Sequence, residues 1–182
     1  MSNLFLLGPR HRLSHEPEPN CQGLYALFLK KGATLDGVEV PPDDPIYFGK
    51  CESGFESRGH VSARDSSGST FRRSLGALLR DSGRIVCDVH PRRSRGQFNE
   101  RSYHNFRFSE DGEVELRKWM LENLEYSFQP VKDQLADAEK KWIRELNPPL
   151  NIQHCRNELR EKLLKLRKMC AIEAQKRGRG EC

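Results

Sequence analysis

The sequence predicts an α/β domain in which a small, mainly antiparallel sheet is flanked by helices. Two short apolar runs, residues 24–29 and 46–48, each contain a tyrosine and have the composition of strands. The segment between them, 31–45, is rich in Gly, Pro and Asp, which is typical of a long hairpin loop. Amphipathic helical patterns dominate the second half of the chain. We therefore expect helices packed against one sheet, with a basic C-terminal helix outside the core.

Length and composition favour one compact domain with appendages. The chain has 182 residues, of which 36% are hydrophobic and 31% are charged, enough for a single modest core under a very polar surface. We predict an N-terminal arm over 1–20, a central domain with an arginine-rich insertion over 21–153, and a basic amphipathic helix and tail over 154–182.

Cysteine usage and hydropathy predict a reduced, cytoplasmic protein. The six cysteines include no Cys-x-x-Cys pair, and the first twenty residues contain no apolar run long enough for a signal peptide. No stretch approaches the roughly eighteen consecutive apolar residues of a membrane span. The sequence thus predicts no membrane association.

The elements after the second tyrosine strand follow from turn residues and periodicity. Residues 54–64 are expected to begin as a loop and to become a short helix, and 66–69 form a turn. Thr70 is the expected cap of a helix that ends near Asp81. Alternating apolar residues over 84–90 predict a half-buried strand.

The remaining elements are predicted to be mostly helical. A basic loop over 91–101 and a strand over 103–108 precede a helix over 113–128. A second helix starts at Pro130 and ends before Pro148. The last helix, about 156–175, has a narrow apolar seam formed by Leu159, Leu163, Leu166 and Cys170.

The distribution of charge predicts a nucleic-acid partner. The net charge is only +5, but nine arginines oppose three acidic residues over 71–107, and nine Lys and Arg residues oppose four Glu over 151–182. Arginine suits bidentate contacts with phosphates and bases. The candidate nucleic-acid-binding residues are Arg72, Arg73, Arg92, Arg93 and Arg95; the alternative is a solvated basic surface.

Two strings that contain the strand tyrosines resemble the motif of the GIY-YIG nuclease family. They are Gly23-Leu24-Tyr25 and Tyr47-Phe48-Gly49-Lys50. The resemblance extends to Arg58, eleven residues after Tyr47, and to Glu139, which lies on a predicted helix twelve residues before Asn151. It covers roughly 23–151. Within it, 68–79 and the helix around Trp119 resemble a bacterial branch of the family of undefined biology.

The resemblance implies a role for each matching residue. Tyr25 would activate water once its proton is shifted or shared, because a phenol with a pKa of roughly 10 is a poor base at neutral pH. Tyr47 would position the nucleophile or the phosphate, and Lys50 would contact phosphate or lower the pKa of a phenol. Arg58 would stabilise the charge of the pentacoordinate phosphorus. Glu139 would bind Mg²⁺ or Mn²⁺, and Asn151 would close the site.

Several positions leave alternatives open. Arg64 is the alternative to Arg58. His60 is a further candidate catalytic residue. It follows Arg58 by two residues, whereas a His or Tyr follows the arginine by four in many relatives, so a surface histidine is the alternative. Three other acidic residues on the Glu139 helix have equal intrinsic claims to a metal, and only the spacing to Asn151 selects Glu139; they are Asp133, Asp137 and Glu145.

Together these patterns predict a Mg²⁺-dependent endonuclease that hydrolyses DNA phosphodiester bonds, with duplex DNA as the substrate. The apolar seam either docks the final helix on its own domain or pairs it with a second copy, so a homodimer stays open. The alternatives are a non-catalytic nucleic-acid-binding protein on the same scaffold and a nuclease that cleaves RNA, since no residue pattern distinguishes the two nucleic acids.

Overall fold

The computed structural model describes residues 8–13, 21–35, 37–94 and 97–181, apart from the side chains of residues 56 and 57. Most of the predicted N-terminal arm and the predicted contact residue Arg95 lie outside these ranges. Among the described residues, no helix combines the length and the apolar character needed to cross a membrane.

A four-stranded antiparallel sheet forms the centre of the fold. In chain order the strands are β1 (His11–Arg12), β2 (Gly23–Leu29), β3 (Tyr47–Cys51), β4 (Val89–His90), β5 (Arg107–Phe108) and β6 (Leu124–Pro130). The main sheet has the order β1-β6-β2-β3, and β4 pairs with β5 in a separate two-stranded sheet. The predicted α/β class with a mainly antiparallel sheet is confirmed.

Within the described residues, five α-helices surround this sheet. They are α1 (Thr70–Asp81), α2 (Glu100–His104), α3 (Glu110–Asn123), α4 (Leu135–Leu146) and α5 (Leu159–Gly178). Two short 3-10 helices, Phe55–Arg58 and Ser66–Gly68, lie between β3 and α1. They occupy the two segments where the sequence predicts a short helix and a turn.

The alternation of side chains along β2 separates two apolar clusters. Leu24, Ala26 and Phe28 face one side, where they pack with Ile143 of α4. Tyr25 and Leu27 face the other side and belong to the larger cluster, which includes residues of α1, α3 and α5. The two faces of one strand therefore hold the helices on opposite sides of the sheet.

The first long helix begins one residue earlier than predicted. The hydroxyl oxygen of Ser69 accepts a hydrogen bond from the backbone N–H of Arg72 at 3.2 Å, so Ser69 rather than Thr70 is the N-cap of α1. Thr70 is already inside the first helical turn.

The predicted helix over 113–128 is wrong after residue 123. Helix α3 ends at Asn123, whose side-chain amide donates to the carbonyl of Trp119 at 2.8 Å. The chain then forms β6, in which Leu124 and Tyr126 are buried on either side of the half-buried Glu125. This strand pairs with β2 over seven residue positions. The predicted start of the next helix at Pro130 is also wrong, because Pro130 ends β6 and α4 begins at Leu135.

Two shorter predicted strands are also largely wrong. Only Val89–His90 of the predicted strand 84–90 is extended in a sheet, and Val86 is 84% exposed. Residues 100–104 form α2 instead of a loop and a strand, because the side chains of Asn99 and Ser102 form a capping box at its start. Of the predicted strand 103–108, only Arg107–Phe108 is β structure.

The C-terminal helix belongs to the core, contrary to the prediction that it lies outside. Its inner face buries Leu163, Leu166 and Cys170 in the larger cluster, so the predicted seam docks on its own domain. Ion pairs fix it to its neighbours: Arg80 of α1 with Glu173 at 2.7 Å, Lys162 with Asp81 at 2.9 Å, and Arg177 with Asp88 at 2.7 Å.

Candidate active site

The two motif tyrosines lie side by side on β2 and β3. Tyr25 pairs in register with Gly49, and the ring centroids of Tyr25 and Tyr47 are 6.2 Å apart. A Cβ atom at position 49 would lie 2.6 Å from the phenol oxygen of Tyr25, so only glycine leaves room for this hydroxyl. The two phenols also interact electrostatically. The glycine after Tyr47 thus has a steric role in placing Tyr25.

His60 lies beside Tyr25 in the interior of the protein. Its Nε2 atom is 2.8 Å from the hydroxyl oxygen of Tyr25, and the residue is only 3% exposed. Gly59, with φ of +61°, precedes it and adopts the left-handed conformation that glycine tolerates. The alternative of a surface histidine is wrong, because this tight turn after Arg58 directs His60 inward.

Arg58 and Glu139 bring opposite charges to the tyrosines. Arg58 is the last residue of the 3-10 helix Phe55–Arg58, and its guanidinium interacts electrostatically with the phenol of Tyr25. Glu139, on α4, interacts electrostatically with Lys50, with Arg58 and with both phenols. The ammonium of Lys50 is 3.5 Å from a carboxylate oxygen of Glu52.

The alternative arginine, Arg64, lies elsewhere. It lines a cavity of about 170 Å³ together with Asp65, Arg93 and Arg107. The structure therefore places Arg58, and not Arg64, beside Tyr25.

Burial sets the protonation states of the site. Burial, reinforced by the neighbouring phenol of Tyr47, raises the pKa of Tyr25 well above its usual value, although Arg58 opposes this effect. Burial also raises the pKa of Tyr47. Burial and the positive charges of Arg58 and Arg72 lower the pKa of His60 to about 3. At neutral pH the site thus holds two neutral phenols and a neutral imidazole.

Glu139 is suited to a hard divalent cation. Burial raises its pKa, although Lys50 and Arg58 oppose this shift, so its carboxylate is a poorly solvated anion. Among the described residues, no group of three or more His, Cys, Asp and Glu side chains converges on one point. A single carboxylate fits Mg²⁺ or Mn²⁺, because Mg²⁺ commonly keeps several waters and binds through one or two protein carboxylates plus phosphate oxygens.

Asn151 supports the site from behind β3. Its side-chain oxygen accepts from the N–H of Phe48 and its amide nitrogen donates to the carbonyl of the same residue, both at 2.9 Å. Asn151 is 5% exposed. Because its amide is occupied by the strand between Tyr47 and Gly49, its contribution is to hold β3 in place.

The predicted nucleic-acid-binding arginines have different environments. Arg72 is fully buried, and its guanidinium forms an ion pair with Glu113, so the prediction that it contacts nucleic acid is wrong. Arg93 pairs with Asp65 at 3.5 Å and with Glu110 at 3.2 Å. Arg92 is exposed and forms no ion pair within the described residues. Arg73 is 6% exposed and lies near Tyr47.

One cation near the tyrosines was not predicted from the sequence. Arg167 of α5 interacts electrostatically with the phenol of Tyr47. Its position directly after Leu166, within the apolar seam, could have indicated that it faces the domain rather than solvent.

Comparison with known proteins identifies the family of the chain. A family model described as "GIY-YIG catalytic domain" matches residues 23–169, which include every residue of the site described above. No curated protein matches the chain. No solved structure matches it either. Because the family match covers most of the sequence, the chain belongs to the GIY-YIG nuclease family.

Proposed function

We propose that the protein is a divalent-metal-dependent endonuclease that hydrolyses phosphodiester bonds of duplex DNA. A nuclease-type function follows from the family; the DNA substrate and the metal are the proposal. The observation that carries it is the convergence of Tyr25, Arg58, His60 and Glu139 from three separate segments of the chain.

The contact between Tyr25 and His60 offers a path for the proton of the attacking water. Tyr25 stays protonated at neutral pH because its pKa is raised by burial, so it cannot act as a free phenolate. Its hydroxyl can pass its own proton to Nε2 of His60, 2.8 Å away, while it takes the proton of a water molecule. Burial lowers the pKa of His60 most, and Arg58 and Arg72 lower it further; the negative charge of a bound phosphate would offset these cations and so favour the transfer.

Cationic side chains would stabilise the charge that develops on the phosphate. The guanidinium of Arg58 is already held at Tyr25, where a reacting phosphate would lie. Lys50 adds a flexible positive charge on the adjacent strand. Preorganised donors of this kind commonly contribute about 3 kcal/mol each to lowering a reaction barrier.

Glu139 would hold the metal ion, with water and phosphate oxygens completing its coordination. When bound, Mg²⁺ or Mn²⁺ would neutralise charge on the scissile phosphate and its leaving oxygen.

The test compares supercoiled plasmid, linear duplex DNA and structured RNA, each incubated with Mg²⁺ or with EDTA. We expect Mg²⁺-dependent cleavage of the two DNA substrates. Glu139→Gln should abolish cleavage but retain DNA binding, since it removes a metal ligand and no cation. Tyr25→Phe should fold and bind normally yet lower the single-turnover rate by roughly 10²-fold or more.

Three outcomes would contradict the proposal. Full activity in Glu139→Gln would exclude the metal site, and full activity in Tyr25→Phe would exclude the proton path. Cleavage of RNA alone would replace DNA as the substrate. As a matched control, Glu145→Gln alters a half-exposed carboxylate on the same helix and should leave the rate unchanged.

A further inference from the structure

Two arginines from different helices meet at the start of α1. Nη1 of Arg167, on α5, donates to the carbonyl of Thr70 at 3.3 Å and to the hydroxyl of Ser74 at 3.1 Å. Arg73 lies on the same stretch of α1, and its Nη1 donates to the backbone carbonyls of Ser66, at 3.3 Å, and Ser67. Both guanidinium groups interact electrostatically with the phenol of Tyr47.

This pair has no anionic partner. Neither arginine forms an ion pair with a carboxylate anywhere in the described residues, and Nε of Arg73 is buried without a hydrogen-bond partner there. The exposed guanidinium of Arg92 adds a third positive charge nearby. Burial lowers the pKa of Arg73 to about 10, and the positive charges of Arg167 and Arg92 add to this shift.

Other arginines of the same helices are neutralised by carboxylates. Arg72 pairs with Glu113 at 2.6 Å, Arg80 with Glu173 at 2.7 Å, and Arg177 with Asp88 at 2.7 Å. A buried charge left without a counterion is destabilising, so its retention points to a ligand of opposite charge. Arg73 of α1 and Arg167 of α5, which have no such carboxylate within the described residues, lie on the side that faces Tyr47.

We propose that Arg73 and Arg167 form a binding subsite for a non-scissile phosphate of the nucleic-acid strand, next to the phosphate that is cleaved. This proposal rests on the proposed function. A phosphodiester suits the position because its two free oxygens accept hydrogen bonds from two guanidinium groups at once. Arg92 lies at the solvent side and would meet the same strand. The final helix thereby contributes directly to substrate binding.

Equilibrium binding of a short DNA duplex in EDTA, where no cleavage occurs, tests the subsite. Arg167→Gln and Arg73→Gln should each weaken binding by roughly tenfold at moderate salt and reduce the slope of log affinity against log salt by about one. Lys165→Gln is the matched control: it removes the same charge from an exposed position on α5. It should change affinity less than either arginine variant.

A second measurement does not depend on nuclease activity. Inorganic phosphate should raise the Tm of the wild-type protein more than chloride at equal ionic strength, because binding to the folded state stabilises it. This difference should persist in Glu139→Gln and Lys165→Gln and disappear in Arg167→Gln. Arg167→Lys keeps the charge and should retain part of the effect, which provides a test if the glutamine variant does not fold.

The outcomes separate the two proposals. A phosphate effect that depends on Arg167, in a protein that cleaves no nucleic acid, would leave the anion site standing and overturn the proposed function. DNA cleavage accompanied by wild-type binding and a wild-type phosphate effect in both arginine variants would overturn the subsite. In that case the only role of Arg167 would be to attach α5 to α1 through its hydrogen bonds to Thr70 and Ser74.

Discussion

Three polar residues that follow β2 in the chain lie around the hydroxyl group of Tyr25. Tyr47 comes from the adjacent strand, Arg58 from the 3-10 helix, and His60 from the turn that follows it. Ser69, the cap of α1, lies 3.5 Å from the other ring nitrogen of His60. The imidazole of His60 therefore links the hydroxyl of Tyr25 to the start of α1.

The depressed pKa of His60 predicts loss of stability in acid. The unfolded chain binds a proton at His60 below a pH of about 6.5, whereas the folded protein resists protonation until about pH 3. The free energy of unfolding should therefore fall as the pH decreases from about 6.5 towards 3, by up to about 1.4 kcal/mol per pH unit. Urea denaturation across this range measures the slope.

His60→Gln should remove most of this dependence, because glutamine does not titrate. His104→Gln alters a histidine that is 64% exposed and serves as the control. An equal pH slope in the wild-type protein and His60→Gln would show that His60 is not the group responsible.

The sequence predicted the motif residues of the site but not their immediate support. Tyr25, Tyr47 and Glu139 could be identified because their order and spacing follow a family pattern. His60 was a candidate with a surface position as the alternative, because its direction depends on the left-handed turn at Gly59, which shortens the usual spacing. Arg72 was misassigned because an arginine at the start of a helix is usually solvated, and its buried partner is 41 residues away in the chain.

At the scale of elements, a buried polar network joins α1 and α3 behind the site. Glu113 accepts hydrogen bonds from Nη2 of Arg72, from the N–H and hydroxyl of Ser66, and from the N–H of Phe108. Nη1 of Arg72 donates to the carbonyl of His60 at 2.6 Å. The network thus connects α3 to the backbone that positions His60.

Glu113→Gln should destabilise the protein by about 3–5 kcal/mol, because it leaves the guanidinium of Arg72 buried without its counterion. Chemical denaturation measures this loss. Glu115→Gln, an exposed change on the same helix, should shift the stability by less than about 0.5 kcal/mol. The combined change Arg72→Met and Glu113→Leu should restore part of the stability. Equal stability of the Glu113 and Glu115 variants would show that the network is dispensable.

The boundary between α3 and β6 shows where periodicity fails as a predictor. Leu116, Met120 and Leu124 fit one helical face, and neither Gly nor Pro interrupts the run before Pro130. From Leu124 onward, however, apolar and polar residues also alternate, as they do in a strand. Pairing with β2 stabilises the strand instead of the helix. Helices α1 and α5 were predicted to within a few residues, whereas only the end of α4 was predicted, because Pro148 marks that end clearly.

At the scale of the whole molecule, the final helix is needed to complete the core. Removal of residues 154–182 would expose the apolar surface of the domain against which Leu163, Leu166 and Ala174 pack. It would also break three ion pairs. Each buried leucine alone contributes about 1.5–3 kcal/mol, and total stabilities are only about 5–15 kcal/mol.

A version that ends at Gln153 should therefore fail to unfold cooperatively on heating, as measured by circular dichroism. A version that ends at Gly178 removes only residues beyond α5 and should melt within a few degrees of the full chain. If the Gln153 version melted cooperatively at the wild-type Tm, α5 would be an appendage, as the sequence first suggested. Sedimentation of the full chain would show separately whether it forms a dimer.

The side chain of Asn151 has a consequence for solubility. β3 is an edge strand of the main sheet, and an open edge invites strand addition by a second molecule. Asn151 occupies both backbone groups of Phe48, and the N–H of Leu150 occupies the carbonyl of Ile46. The opposite edge, β1, has only two residues. Within the described residues, outward-facing backbone groups of β3 are therefore already occupied, which guards this edge against edge-to-edge aggregation when the protein is concentrated.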